Sequence, residues 1–256
     1  MDIWHIVGNG PDELIVGANE SVIRFNQSLT LNASTKLTIT NSKVAGLKNG
    51  VFVEGKVPDE KFTERLETNG KELESLLGCK PSLGLLAIKT MLKYEVAVNI
   101  SCMALLPALE RPQRYPEKKA LPAAHHNWLG ERRLALLWID DLYWPEFLLQ
   151  APHQSSASAA ISPSSFLQLQ QLPNVPRKEA SELWKTLSKV SYQAWLEQAN
   201  YSNLKAVESL FYISRNSYLS PNWWMYDNQL SIHVNRLQKV LAFVQQAFVF
   251  AEKEKA

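Results

Sequence analysis

Three short segments hold the residue types from which a reactive site could be assembled. One is the pair His125-His126 with Glu131 five residues past the second histidine. A neutral imidazole within hydrogen-bond reach of a hydroxyl can take its proton, so the pair offers a general base. Residues five apart do not share a helix face, because helical neighbours are three or four apart. The spacing therefore predicts His126 just before a helix and Glu131 inside it, where the helix start biases the imidazole toward the neutral form a base needs. Gly8-Asn9-Gly10-Pro11 follows the apolar run Ile3-Trp4-His5-Ile6-Val7 and uses two of only 10 glycines, which predicts a tight turn. At the carboxyl end of a first parallel strand such a turn faces the crevice where α/β proteins bind ligands. A nicotinamide or flavin site would want a third glycine and an acidic residue closing the second strand, but Asp12-Glu13 and Asn26 stand in those places. Finally, Ser82-Leu83-Gly84 opens an apolar helical run, and a serine hydroxyl, free backbone amides and a helix dipole there suit a nucleotide phosphate or ribose. Each segment also has a plain structural reading: a non-catalytic histidine pair, a turn without ligand, a capped helix.

Other candidates carry less. Asp140-Asp141 suggests a carboxylate pair, but two adjacent aspartates rarely meet the octahedral demand of magnesium, so a turn or helix cap is the expectation. Trp223-Trp224-Met225-Tyr226 could stack on a sugar, although such aromatics usually anchor a core or an interface. Cys79 and Cys102 are read as buried thiols rather than as a disulfide framework.

The elements that must position these residues follow from the pattern of apolar residues. Strands are expected at 3–7, 21–25, 36–40 and 95–100, with a charged amphipathic helix over 59–77 and a more apolar one over 82–92. That alternation predicts an α/β domain with a largely parallel sheet. Four prolines between Pro107 and Ala124 predict a surface loop leading into the histidines. Small polar residues at 154–160 suggest a boundary, dividing an α/β domain over 1–154 from a mainly helical C-terminal region over 155–256, packed on it or part of the same domain. Leu230, Val234, Leu237, Leu241, Val244 and Phe248 fall at alternating four- and three-residue steps, one apolar face of a helix over 227–253 that suits core packing or a partner groove.

With 27 basic against 25 acidic side chains, net charge is +2, and nucleic acid is not an expected partner. Neither a basic leader, an export segment nor a membrane-spanning run is read, so the expected location is cytoplasmic.

Gly8-Asn9-Gly10, Val22-Ile23-Arg24-Phe25-Asn26 and Lys36-Leu37-Thr38 together resemble the long sialyl motif of the sialyltransferases, glycosyltransferase family 29. Pro81-Ser82-Leu83-Gly84 resembles the short sialyl motif, with Leu83 where threonine is usual, and His126 with Glu131 resembles the very short motif. The motif cysteine is missing, and Ile100-Ser101-Cys102 stands in place of tyrosine-glycine-phenylalanine. The resemblance covers about residues 3 to 135. It implies a Rossmann-like, GT-A-type fold and inverting transfer of sialic acid from CMP-sialic acid to a glycan or glycolipid acceptor hydroxyl, with no metal and no cofactor. Gly8, Asn9, Gly10, Asn26, Ser82, Leu83 and Gly84 would bind the donor. His126 would be the general base, His125 would fill the place of the phosphate-contacting histidine, and Glu131 would give structural support. A cytosolic form would suggest bacterial surface-glycan assembly, with peripheral membrane contact left open. Transfer of another CMP-activated sugar such as Kdo, or CMP binding without catalysis, are the alternatives.

Overall fold

The computed structural model describes residues 2–10, 17, 20–27, 35–41, 45–46, 50–116, 118–152, 165–213 and 222–255. Its sheet has five strands in the order β4-β3-β2-β1-β5, comprising β1 (Ile3–Val7), β2 (Ser21–Phe25), β3 (Thr35–Asn41), β4 (Val51–Gly55) and β5 (Ala97–Ser101). All pairings are parallel except β3 with β4. The expected α/β character and largely parallel sheet are thus present, with an antiparallel edge strand in addition. Strands are laid outward from β1 to β4, and the chain then crosses back to place β5 on the other side of β1. The order reverses there, and crevices outside the carboxyl ends of strands form at such points.

The two faces of this sheet differ chemically because side chains alternate along a strand. Trp4, Ile6, Ile23, Phe25, Leu37, Ile39, Val98 and Ile100 are buried on one face. The opposite face carries His5, Arg24, Thr38, Asn99 and Ser101. Helix α1 (Phe62–Leu77) buries Phe62, Leu66, Leu73 and Leu77 at helical spacing and ends at Gly78, whose φ of 71° is the left-handed conformation that closes helices. Helix α2 (Leu83–Met91) is buried from Gly84 onward and lies against α1, β1 and β3.

The chain forms two compact units, and their boundary differs from the expected division at 154. Met1–Leu105 and Leu137–Leu148 make the α/β unit, and Leu106–Leu136 and Leu149–Ala256 make a helical unit. The physical reason lies in two segments. Residues 137–148 add to the β5 edge: Tyr143 N donates to Val98 O and Tyr143 O accepts from Ile100 N, at 3.1 and 2.9 Å. The segment before them belongs with the helices, since Leu109, Ala124 and Leu129 share one apolar core with Trp184, Trp195, Trp224 and the long helix Ser231–Lys253.

Within the helical unit α3 (Trp128–Leu136), α4 (Ser165–Gln171), α5 (Arg177–Leu187), α6 (Tyr192–Glu197), α7 (Tyr201–Val207) and α8 (Ser231–Lys253) follow in order. Leu230, Val234, Leu237, Leu241 and Val244 of the predicted face are buried in its core, and Phe248 packs partly against it. The proline-rich stretch is held by Arg111, whose guanidinium donates to Pro116 O and Lys119 O at 2.7 Å and to Asn228 Oδ1 at 2.6 Å. Of the aromatic run, Trp224 is buried and donates to Leu210 O, while Trp223 lies under the Arg177 guanidinium, 4.5 Å from its ring centre. Among the described residues no helix is long and apolar enough to cross a membrane.

Candidate functional site

Strand β1 ends in the Gly8-Asn9-Gly10 turn, and this turn is zipped onto the end of β5. Gly8 N donates to Ser101 O at 2.9 Å and Gly10 N to Cys102 O at 2.8 Å. The approach is so close that a Cβ on Gly8 would overlap the Cys102 carbonyl and come within 2.7 Å of Met103 Cβ. Glycine is required here by space. Gly8→Ala is expected to lower stability by about 1–3 kcal/mol, read as a shift of the urea midpoint, because the obstacle is backbone that cannot swing aside.

Beside the turn lies a cavity of about 410 Å³ lined by Val7, Gly8, Asn9, Gly10, Arg24, Phe25, Asn26, Gln27 and Cys102. Its volume falls within the roughly 300–1,000 Å³ usual for small-molecule sites. Four of the predicted donor residues, Gly8, Asn9, Gly10 and Asn26, are brought together in it from the ends of two adjacent parallel strands. Asn26 sits at φ 56° and is oriented by Asn41, whose backbone and side-chain N–H groups donate to Asn26 Oδ1 at 3.0 and 3.1 Å. With Oδ1 so engaged, the amide Nδ2 is the end that Asn26 turns to other partners.

Five lining residues, Val7, Arg24, Phe25, Gln27 and Cys102, are not among the predicted site residues, and two of these bear on the chemistry. Arg24 was part of the motif, yet only the structure places it in the wall, with a buried Nε that has no hydrogen-bond partner among the described residues. It lies two residues before Asn26 at the end of β2, and that nearness to a predicted site residue is the available signal. Cys102 is buried at φ 55°. Cys79 is only partly buried, which corrects the expectation of two buried thiols.

Ser82, Leu83 and Gly84 are not in that wall. Ser82 caps α2, its Oγ accepting from Leu85 N at 3.2 Å, so the hydroxyl already serves the helix start. Gly84 does converge on the same strand end, for a Cβ there would strike the Met103 side chain that also abuts Gly8.

The histidines belong to the helical unit. His125 is exposed at the end of a 3-10 turn over Pro122–His125, and His126 follows in extended conformation, φ −117° and ψ 142°, two residues ahead of α3. The predicted placement outside the helix therefore matches the fold. Asn127 caps α3, with Oδ1 accepting from Gly130 N at 2.9 Å. Glu131 is fully buried in the helix, 3.7 Å from His126 Nδ1, and the Trp128 ring packs 5.0 Å from the imidazole. Below this turn Glu208 accepts from Arg133 Nε at 2.7 Å, Arg133 Nη2 at 3.3 Å and Asn127 Nδ2 at 3.2 Å.

Asp140 and Asp141 lie in a 3-10 turn, and among the described residues no group of three or more histidine, cysteine or acidic side chains is placed to hold a metal ion. Compared with known proteins, the chain matches no family model, no curated protein and no solved structure.

Proposed function

We propose that the chain is a glycosyltransferase of sialyltransferase type, taking a CMP-activated acidic sugar with a Rossmann-like, GT-A-type nucleotide site in its α/β unit. The observation that supports this most is the cavity at the reversal of strand order, where Asn9 and Asn26 line one wall system with Gly8 and Gly10. The Asn9 amide offers donor and acceptor together and Asn26, with Oδ1 engaged by Asn41, offers its Nδ2 donor, which suits a nucleoside without adding charge. Arg24 adds the cation that a phosphate needs, and its buried Nε has a donor to give.

In this reading His126 takes the proton of the acceptor hydroxyl as that oxygen attacks the anomeric carbon, CMP leaves from the opposite face, and configuration inverts. Glu131 orients the imidazole from within α3. Kdo or another keto-acid sugar fits the same nucleotide chemistry, and turnover of the two CMP-sugars separates them.

The test is a calorimetric titration of the whole chain with CMP, cytidine, UMP and AMP. Selective binding of CMP is expected. Arg24→Gln should then weaken CMP about 10- to 100-fold, the equivalent of one charge-assisted hydrogen bond of about 1.5–3 kcal/mol, while cytidine changes little. Equal binding of all nucleotides, or none, removes the proposal. A CMP-binding protein without catalysis is the second reading; it is favoured by the confinement of every nucleotide-facing residue to one compact unit, and it predicts CMP binding with no sugar transfer.

A further inference from the structure

The polar face of the sheet holds a chain of hydrogen bonds that sugar transfer does not use. Pairing of β1 with β5 sets His5 opposite Asn99 and Val7 opposite Ser101, so His5, Asn99 and Ser101 project from the same face. His5 Nδ1 lies 2.7 Å from Glu20 Oε2, and His5 Nε2 lies 2.8 Å from Ser101 Oγ. Glu20 further accepts from Gly17 N at 3.1 Å and from Asn99 Nδ2 at 2.9 Å.

The direction of the protons follows from the carboxylate. Burial alone would raise the Glu20 carboxyl, but the His5 hydrogen bond, the Gly17 N–H and the Asn99 amide outweigh it and hold it below its ordinary value. An ionised carboxylate only accepts, so the imidazole proton sits on Nδ1. Nε2 then presents its lone pair, and Ser101 Oγ–H donates to it. Nucleophile, base and orienting acid thus stand in the order that activates a serine. His5 and Ser101 are only 5% and 9% exposed, which keeps bulk water from competing for these bonds.

The position of Ser101 adds to the argument. It ends β5 at the reversal of strand order, and the next residue, Cys102, turns through φ 55°, a conformation uncommon outside glycine. Val7, opposite Ser101, and Cys102, after it, both line the cavity, and Ser101 lies directly behind that wall rather than in it.

We infer that Ser101 is a nucleophile activated by His5 and Glu20, and that the chain hydrolyses carboxylic esters at this place. Ser101 Oγ bonds to the acyl carbon while His5 Nε2 takes its proton and Glu20 stabilises the imidazolium. The imidazolium protonates the departing alkoxide, releasing the alcohol. Water, deprotonated by His5, then cleaves the acyl-serine and releases the acid, and the proton returns to Ser101.

The test is reaction of the full chain with an alkyl fluorophosphonate, in which an Oγ–P bond forms as fluoride leaves, followed by mass spectrometry of the digest. The expected adduct is on Ser101, with a burst of acyl-enzyme from p-nitrophenyl acetate. His5→Gln should slow labelling about a hundredfold. Absence of a Ser101 adduct on the folded wild-type chain overturns the inference, as does labelling that His5→Gln leaves at the wild-type rate. Because the inference does not rest on nucleotide binding, CMP titration of the unlabelled wild type decides that reading separately.

Discussion

Replacing His126 by Ala is expected to lower sugar transfer from a CMP-activated donor by about 10²- to 10⁴-fold, the usual worth of a positioned general base, with CMP affinity unchanged. On the proposed reading the two readouts separate, since the residues lining the cavity beside the Gly8-Asn9-Gly10 turn all lie in the α/β unit and His126 lies in the helical one. The surroundings of His126 suit the proposed role. Its ring packs on Trp128, its Nδ1 faces the buried Glu131 carboxylate, and with 32% of its side chain exposed the other edge of the ring can meet a substrate. Glu131→Gln keeps the shape and removes the charge that would stabilise an imidazolium, so it should give an intermediate loss of turnover. Single-turnover rates with CMP titrations on the same samples check both variants. Full turnover in His126→Ala would exclude it as the base.

Glu208→Ala is expected to destabilise the helical unit by about 3–5 kcal/mol, because removing one partner of a buried ion pair strands the other. Glu208 is 4% exposed and takes three donors, two from the Arg133 guanidinium and one from Asn127. The alanine variant leaves the buried Arg133 guanidinium without its carboxylate partner. Urea midpoints of Glu208→Ala and of the double variant Glu208→Leu with Arg133→Met make the measurement. The double variant should recover most of the loss, since a buried pair is often no more stabilising than apolar residues of similar size. A single-variant loss below about 1 kcal/mol would mean that the pair is as weak as a surface one. Asn127 connects this pair to the segment that carries His126: the same side chain bonds Glu208 and caps α3 one residue after it, so on the proposed reading loosening Glu208 should also cost transfer rate.

What was legible in the sequence depended on how local the signal was. The strands β1, β2, β3 and β5 are short apolar runs that bury their residues, and α8 is a long apolar face, so both could be read from spacing. Strand β4 could not. It is an antiparallel edge of five residues with Phe52 exposed, and an edge that buries little leaves little pattern. Asn9 and Asn26 were found because each closes a recognisable strand. Ser101 and His5 are 96 residues apart, and only the parallel register of β1 and β5 puts them on one face. Ser82 was assigned to the ligand because a cap and a phosphate cradle are written with the same residues. Its Oγ, bonded to Leu85 N, serves the cap.

The interleaving of the two units bears on how the chain is born. The α/β unit needs residues 137–148 to finish the β5 edge, and the helical unit needs α8, which follows α3 by about a hundred residues. During synthesis, α3 emerges about a hundred residues before the helix whose Gln245 side chain will bond Leu129 O. Its apolar surface must wait uncovered, or shielded by a chaperone, until α8 has been made.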